Sequence, residues 1–181
     1  STEDIIARSV LGSAELGSFL TPSQVLNYVE AHDNYNLYDL LSYVHPDDSQ
    51  EKIKKQVEVA TAMNLLFQGM AFMQVGQEFL RTKLVATGED GEVTQADRER
   101  AMNSYNAPDA VNQVDWNLVS VNKNTIDYIR QIIHLKKTLP ALSLESYEEI
   151  YQHVFVHTAD MGSGVVVFEL NWDKHYSVIF N

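Results

Sequence analysis

The sequence predicts an α/β fold that gives way to an all-β region near its C-terminal end. Three observations carry this. Two short apolar runs, "VLNYV" (Val25–Val29) and "AFMQV" (Ala71–Val75), are separated by one long amphipathic stretch. Strand, helix, strand with both strands apolar throughout is the pattern of a parallel sheet with a crossover helix. Beyond Pro140 the texture becomes all β, in short runs bounded by turn residues.

Each element follows from local chemistry. "EDIIARSVLGS" predicts a short helix stopped near Gly12, and "GSFLTPSQ" a loop punctuated by Pro22. "VLNYV" is rich in β-branched and aromatic residues and predicts a strand buried on both faces. "NLYDLLSYV" predicts a helix that "HPDDS" ends. Ile53, Val57, Ala60, Asn64 and Phe67 then recur at steps of four, three, four and three, which predicts a long helix with Gly69 as its C-cap. "AFMQV" predicts a second buried strand, ending in Gly76, Gln77 and Glu78.

From Leu80 to Asn124 the chain is polar and reads as a long loop, a length that is often functional. Within it "TQADRERAM" predicts a short helix with Thr94 and Asp97 near its start. Thr125 is the expected N-cap of "IDYIRQIIHLKKTL", which Pro140 stops. "IYQHVFVH" and "GVVVFEL" are expected strands joined by the turn "ADMGSG", and "YSVIF" follows as a third.

Composition narrows the function. The chain has 181 residues, 45% hydrophobic and 21% charged, enough for a sizeable core. A net charge of −12 disfavours nucleic acid as a partner. No apolar run reaches the roughly 18 residues of a membrane helix, so no membrane partner is expected. With 0 cysteines, thiol catalysis and cysteine-based zinc sites are excluded. The N-terminal stretch carries no basic-then-apolar signal.

The candidate site lies where the two strands end. Equivalent positions on neighbouring parallel strands share an end, so "EAHDN" (Glu30–Asn34) and "GQE" (Gly76–Glu78) are expected on one face. Two carboxylates there, Asp33 and Glu78, suit glycoside hydrolysis, in which one group protonates the leaving oxygen and the other attacks or activates water. The structural alternative has Asp33 capping the next helix and Glu78 paired with Arg81. His32 suits a hydrogen bond to a sugar hydroxyl. A metal held by His32, Asp33 and Glu78 is a poorer fit, since neighbours on an extended strand point to opposite faces. Tyr35, Tyr105 and Trp116 are loop aromatics suited to stacking on sugars or, equally, to loop packing. Two βα units do not close a barrel of roughly 250 residues. Both ends read as cut, so the chain is expected to be a piece of a larger fold.

Three stretches resemble one family. "NYVEAHDN", then "LLFQGMAFMQVGQEFLRTK", then "NSYNAPDAVNQVDW" are similar in order and spacing to type I pullulanases, debranching enzymes of glycoside hydrolase family 13, the α-amylase family. The resemblance runs from about Thr21 to Trp116. It implies an α/β fold followed by β: the last two βα units of a (β/α)8 barrel over residues 1–140, then the start of a C-terminal antiparallel β-sandwich over 141–181. It implies that Asp33 stabilises the oxocarbenium-like transition state and that His32 hydrogen-bonds the sugar beside the cleaved bond. Arg81, Asn103 and Tyr105 would shape the substrate side of the cleft, with Glu78 a support. The substrate implied is an α-glucan, cleaved at α-1,6 linkages. The family's nucleophile and acid/base have no counterpart here, so the chain alone is expected to be inactive and prone to self-association. No cofactor is expected; calcium is common in the wider family, but no dedicated site is read in this stretch. The implied setting is a bacterial secreted or cell-surface enzyme, with a cytoplasmic debrancher as the alternative. The competing class is a non-catalytic glucan-binding or structural module.

Overall fold

The computed structural model describes residues 2–14, 17–157 and 163–181. The described residues form helices and short strands, with a small antiparallel sheet at the C-terminal end. They divide into two compact units: residues 1–27, 62–72 and 131–181 in the first, 28–61 and 73–130 in the second.

The first unit contains helix α1 (Thr2–Val10), strands β1 (Leu26–Asn27) and β2 (Met70–Ala71), helix α8 (Tyr147–His153), and strands β3 (Val154–His157), β4 (Val166–Asn171) and β5 (His175–Phe180). β1 and β2 pair in parallel, Leu26 opposite Met70. The pairing direction agrees with the crossover pattern, but each ladder holds two residues where five were expected. Nor are the strands buried on both faces: Leu26 is 52% and Met70 50% exposed. Burial on both faces needs a layer on each side, and two strands alone give each other only one edge. Gly69 makes the approach to β2 tight. Its φ is +104°, and a Cβ there would lie 3.0 Å from the carbonyl oxygen of Val25 and 3.2 Å from the Asn27 amide.

Gln68 is the polar anchor of this unit. Fully buried, its Nε2 donates to the carbonyl of Ala141 at 2.7 Å and its Oε1 accepts from Leu144 N at 3.0 Å. Lys136 lends three more ties, donating to the carbonyls of Phe67, Gly69 and Leu142. Burial pulls its pKa down to about 8. In the sheet, β3–β4–β5 are antiparallel neighbours, and inward-facing Val166, Phe168 and Leu170 alternate with outward residues. Phe180 sits against both Phe67 and Phe168, each pair with centroids 6.1 Å apart.

One expectation fails here and one goes untested. "IYQH" is not strand: Tyr147–His153 is helical and only Val154–His157 is extended. Ser146 and Glu149 form a capping box, a local start signal that outweighs the β-like texture. The expected turn "ADMGSG" falls largely on residues 159–162, outside the described residues.

The second unit carries helix α2 (Leu37–Val44), the first turns of α3 (Gln50–Leu66), α4 (Gln95–Met102), α5 (Asp109–Asn112), α6 (Asn117–Val121) and the start of α7 (Lys123–Thr138). Leu37, Val57 and Leu80 form its apolar centre, with Val29, Tyr38, Leu41 and Ala60 packed around them. The stretch from Leu80 to Asn124 is therefore not an open loop; it folds into short helices fastened by side chains. Thr94 and Asp97 cap α4 reciprocally, and Asp97 also accepts from Thr87 N and Thr87 Oγ1. These hydrogen bonds, the Thr87 hydroxyl foremost, hold the Asp97 carboxyl well below the usual carboxylate range. Thr125 is not the N-cap of α7. The helix begins at Lys123, and Thr125 is buried within it, donating to Glu58 at 2.9 Å.

Candidate functional site

The segments 28–36 and 73–83 are drawn together inside the second unit by side chains of α2 and of the residues flanking it. Asn36 donates to the carbonyl of Arg81 at 3.1 Å. The buried Asp39 carboxylate accepts from Thr82 Oγ1 and from Lys83 N, so one acid on α2 fixes the "RTK" backbone. The Glu30 carboxylate accepts from Leu37 N at 2.8 Å, closing the turn that leads into α2.

Between them opens a cavity of about 130 Å³. His32, Asp33 and Asn36 line one side, Gln74, Arg81 and Lys83 another, and Ser104, Tyr105 and Asn112 the rest. Every lining residue carries a polar or ionisable side chain, and the only ring offering a broad apolar face is that of Tyr105. Polar groups converging on a cavity fix the orientation of a bound ligand.

Asp33 and His32 reach solvent at its mouth, their side chains 74% and 81% exposed and 3.5 Å apart. Arg81 is buried and donates through Nη2 to the carbonyl of Asn112 at 2.5 Å, while its Nε has no partner. Tyr105 is 86% exposed, a free ring at the rim. Asn103 is not brought to the cavity: it is the exposed C-cap residue of α4, its N–H donating to Glu99 O. Glu78 also turns elsewhere. Its carboxylate accepts from Gly76 N at 3.0 Å, so it neither pairs with Arg81 nor joins His32 and Asp33 as a ligand set. Among the described residues, no group of three acids or histidines could hold a metal ion. Asp33 does not cap α2, whose N-cap position is Asn36. Of the other loop aromatics, Trp116 lies against Phe79 and Tyr35 against Tyr43.

Sequence reasoning missed the buried charges behind the site. Glu30, Asp39 and Lys83 are all at least nine-tenths buried. No sequence neighbour of the three is itself buried, so nothing local signalled their burial. Burial raises the pKa of Glu30 to about 7, with the Leu37 hydrogen bond opposing it. Asp39 is raised by burial and held back by Thr82 and Lys83 N. Lys83 is lowered, first by burial and then by Arg81.

A pH dependence follows. An acid whose folded pKa lies above its unfolded value binds more protons when folded. Stability is then fully present below the unfolded pKa of 4.5 and falls as pH rises to about 7. For Glu30 the fall approaches about 3 kcal/mol. Urea midpoints of the chain from pH 4.5 to 7.5 should decline, and Glu30→Gln should remove most of the slope. Asp39 accounts for the remainder, having the same sign. An unchanged slope in the variant would refute the assignment.

No family model matches the chain. The pullulanase of Bacillus subtilis strain 168 is 36% identical over 133 residues, covering 74% of this chain and 16% of its own length. The crystal structure of the pullulanase of Paenibacillus barengoltzii, in complex with maltohexaose and α-cyclodextrin, is similar at a TM-score of 0.83 and 32% identity, covering 100% of this chain and 27% of that one. That of Anoxybacillus sp. LM18-11, complexed with maltotriose, is similar at a TM-score of 0.77 and 33% identity, over 93% of this chain and 21% of that one.

The class these likenesses define is that of the glycoside hydrolases. Within it, the chain belongs to the pullulanase family. It spans 16% to 27% of the length of these relatives.

Proposed function

We propose that this chain is part of a debranching hydrolase that cleaves α-1,6-glucosidic linkages of pullulan and amylopectin with retention. The observation that carries it is the pairing of His32 and Asp33 at the mouth of a cavity whose lining residues all carry polar groups, in a chain about a third identical to pullulanases. Asp33 stabilises the oxocarbenium-like transition state as a carboxylate. His32 donates to a sugar hydroxyl beside it. Arg81 and Tyr105 shape the glucan side, and Asn103 acts through the end of α4, beside Ser104.

Residues 1–140 form the last two βα units of a (β/α)8 barrel and 141–181 begin a β-sandwich. The parallel pairing of β1 with β2 supports the first assignment, and the antiparallel β3–β4–β5 sheet the second. The exposed apolar side chains of Leu26 and Met70 fit strands that further layers cover in the whole enzyme. The nucleophile and acid/base, which a retaining mechanism sets about 5 Å apart, belong to the longer remainder, so the isolated chain is inactive and its uncovered strand edges self-associate. The bound maltotriose and maltohexaose of the solved relatives support an α-glucan as substrate. The enzyme acts outside the cell or at its surface, where the polymer is met.

Reducing-end release from pullulan tests this. The complete hydrolase carrying these residues should turn over, its Asp33→Asn variant should turn over at least about 10³-fold more slowly, and the 181-residue chain alone should release nothing. Turnover by the chain alone would overturn the division of catalytic groups.

A further inference from the structure

Lys83 is 3% exposed, yet its burial is not matched by a carboxylate in a direct hydrogen bond. Its ammonium donates to three neutral oxygens: the carbonyl of His32 at 3.2 Å, the carbonyl of Asn34 at 2.5 Å, and Ser104 Oγ at 3.3 Å. The two carbonyls stand on either side of Asp33. Asn34 holds a left-handed φ of +63°, a conformation that a residue with a Cβ adopts at some cost. Lys83 itself is anchored at both ends of its reach. Its N–H donates to Asp39 at 2.8 Å, and Ser104 is tied through its carbonyl to Asn112 Nδ2 at 2.7 Å. Glu30, Asp39 and Asp33 act on the ammonium through space.

Desolvating an ammonium is expensive, and an aliphatic side chain would fill the same volume more cheaply. What the ion adds is geometry: donors aimed at the two carbonyls that flank Asp33 and at the Ser104 hydroxyl. We infer that Lys83 is a positioning residue, clamping the backbone on both sides of Asp33 so that the Asp33 carboxylate and the His32 ring are preset toward the glucan. This rests on the hydrolase reading above. Sites of this kind need their reacting groups held within about 0.5 Å.

The test is Lys83→Met in the complete hydrolase, with pullulan as substrate. kcat should fall about 10²-fold, the scale of a misplacement near 1 Å, while KM moves less than about threefold. In an Asp33→Asn background the same substitution should cost less than about threefold, because the group it positions is already lost. Ser104→Ala, which removes one acceptor and keeps the ion, should lower kcat severalfold without raising KM. A folded Lys83→Met enzyme with unchanged kcat overturns the clamp. So does an equal loss in both backgrounds, the mark of a merely structural role. Should Lys83→Met not fold, Ser104→Ala decides alone, and an unchanged kcat there overturns the clamp. The two readings fail differently: full activity of Asp33→Asn removes the hydrolase assignment and the clamp with it, whereas a strongly impaired Asp33→Asn with a neutral Lys83→Met removes the clamp alone.

Discussion

Asp33→Asn in the complete hydrolase should lower kcat on pullulan by about 10³-fold or more while leaving the folded state intact. The size follows from the role. A carboxylate facing a developing oxocarbenium ion acts mainly in the transition state, and deleting one such electrostatic partner elsewhere costs about 10²–10³-fold in kcat. Asn keeps the shape and loses the charge. At about 1.4 kcal/mol per tenfold, the loss is about 4 kcal/mol or more of transition-state stabilisation. The fold should not notice. The Asp33 side chain is 74% exposed, and substitutions at exposed positions usually change stability by less than about 0.5 kcal/mol. Urea midpoints of the 181-residue chain and pullulan turnover by the whole enzyme therefore separate the two effects. A variant that retains more than a tenth of wild-type kcat would remove Asp33 from the chemistry.

Gly76→Ala should do the reverse, damaging the fold of the second unit and the site together. Gly76 has a φ of +99°, and a Cβ placed there would stand 2.5 Å from Arg81 Cβ and 2.7 Å from Arg81 Cδ. No rotamer of Arg81 removes the first clash, because Cβ is fixed by the backbone. That backbone is itself tied to Gly76, Arg81 N donating to Gly76 O at 2.9 Å. Gly91 is the built-in control: its φ is +80°, and a Cβ there would meet nothing within 4 Å. Gly91→Ala should lose only the conformational part, about 1 kcal/mol. Gly76→Ala should lose at least about 3 kcal/mol, since overpacking adds about 1–3, and Arg81 should leave the cavity. Equal shifts of the urea midpoint for the two variants would refute the steric account.

Local signals were legible wherever the physics is local. The periodicity of α3, the capping pair Thr94 and Asp97, and the β-rich texture of β4 each depend on neighbours within a turn or a strand. They appear in the structure close to where the residues put them. The adjacency of His32 and Asp33 belongs to the same kind, since neighbours in sequence cannot be far apart. The α8 start was equally local, in Ser146 and Glu149, and was masked by the β-like residues that follow.

Other features depend on partners distant in sequence. Nothing around Thr125 announces that its hydroxyl meets Glu58, and that contact, with the earlier start of α7, overrides its cap preference. The lengths of β1 and β2 depend on how many strands flank them, which two apolar runs do not reveal. The same holds for Asn103, one residue outside the cavity that Ser104 and Tyr105 line.

The sequence by itself determined the order of α1 to α4 and of the strands, the parallel direction of the first strand pair, the antiparallel C-terminal sheet and the His32–Asp33 pair. Only the tertiary structure decided that Glu30, Asp39 and Lys83 are buried behind that pair and that Lys83 grips the backbone on both sides of Asp33. The physical reason is range. Propensity, capping and periodicity act over a few residues, whereas desolvation and hydrogen bonding are settled by whichever groups the folded chain brings within about 3 Å.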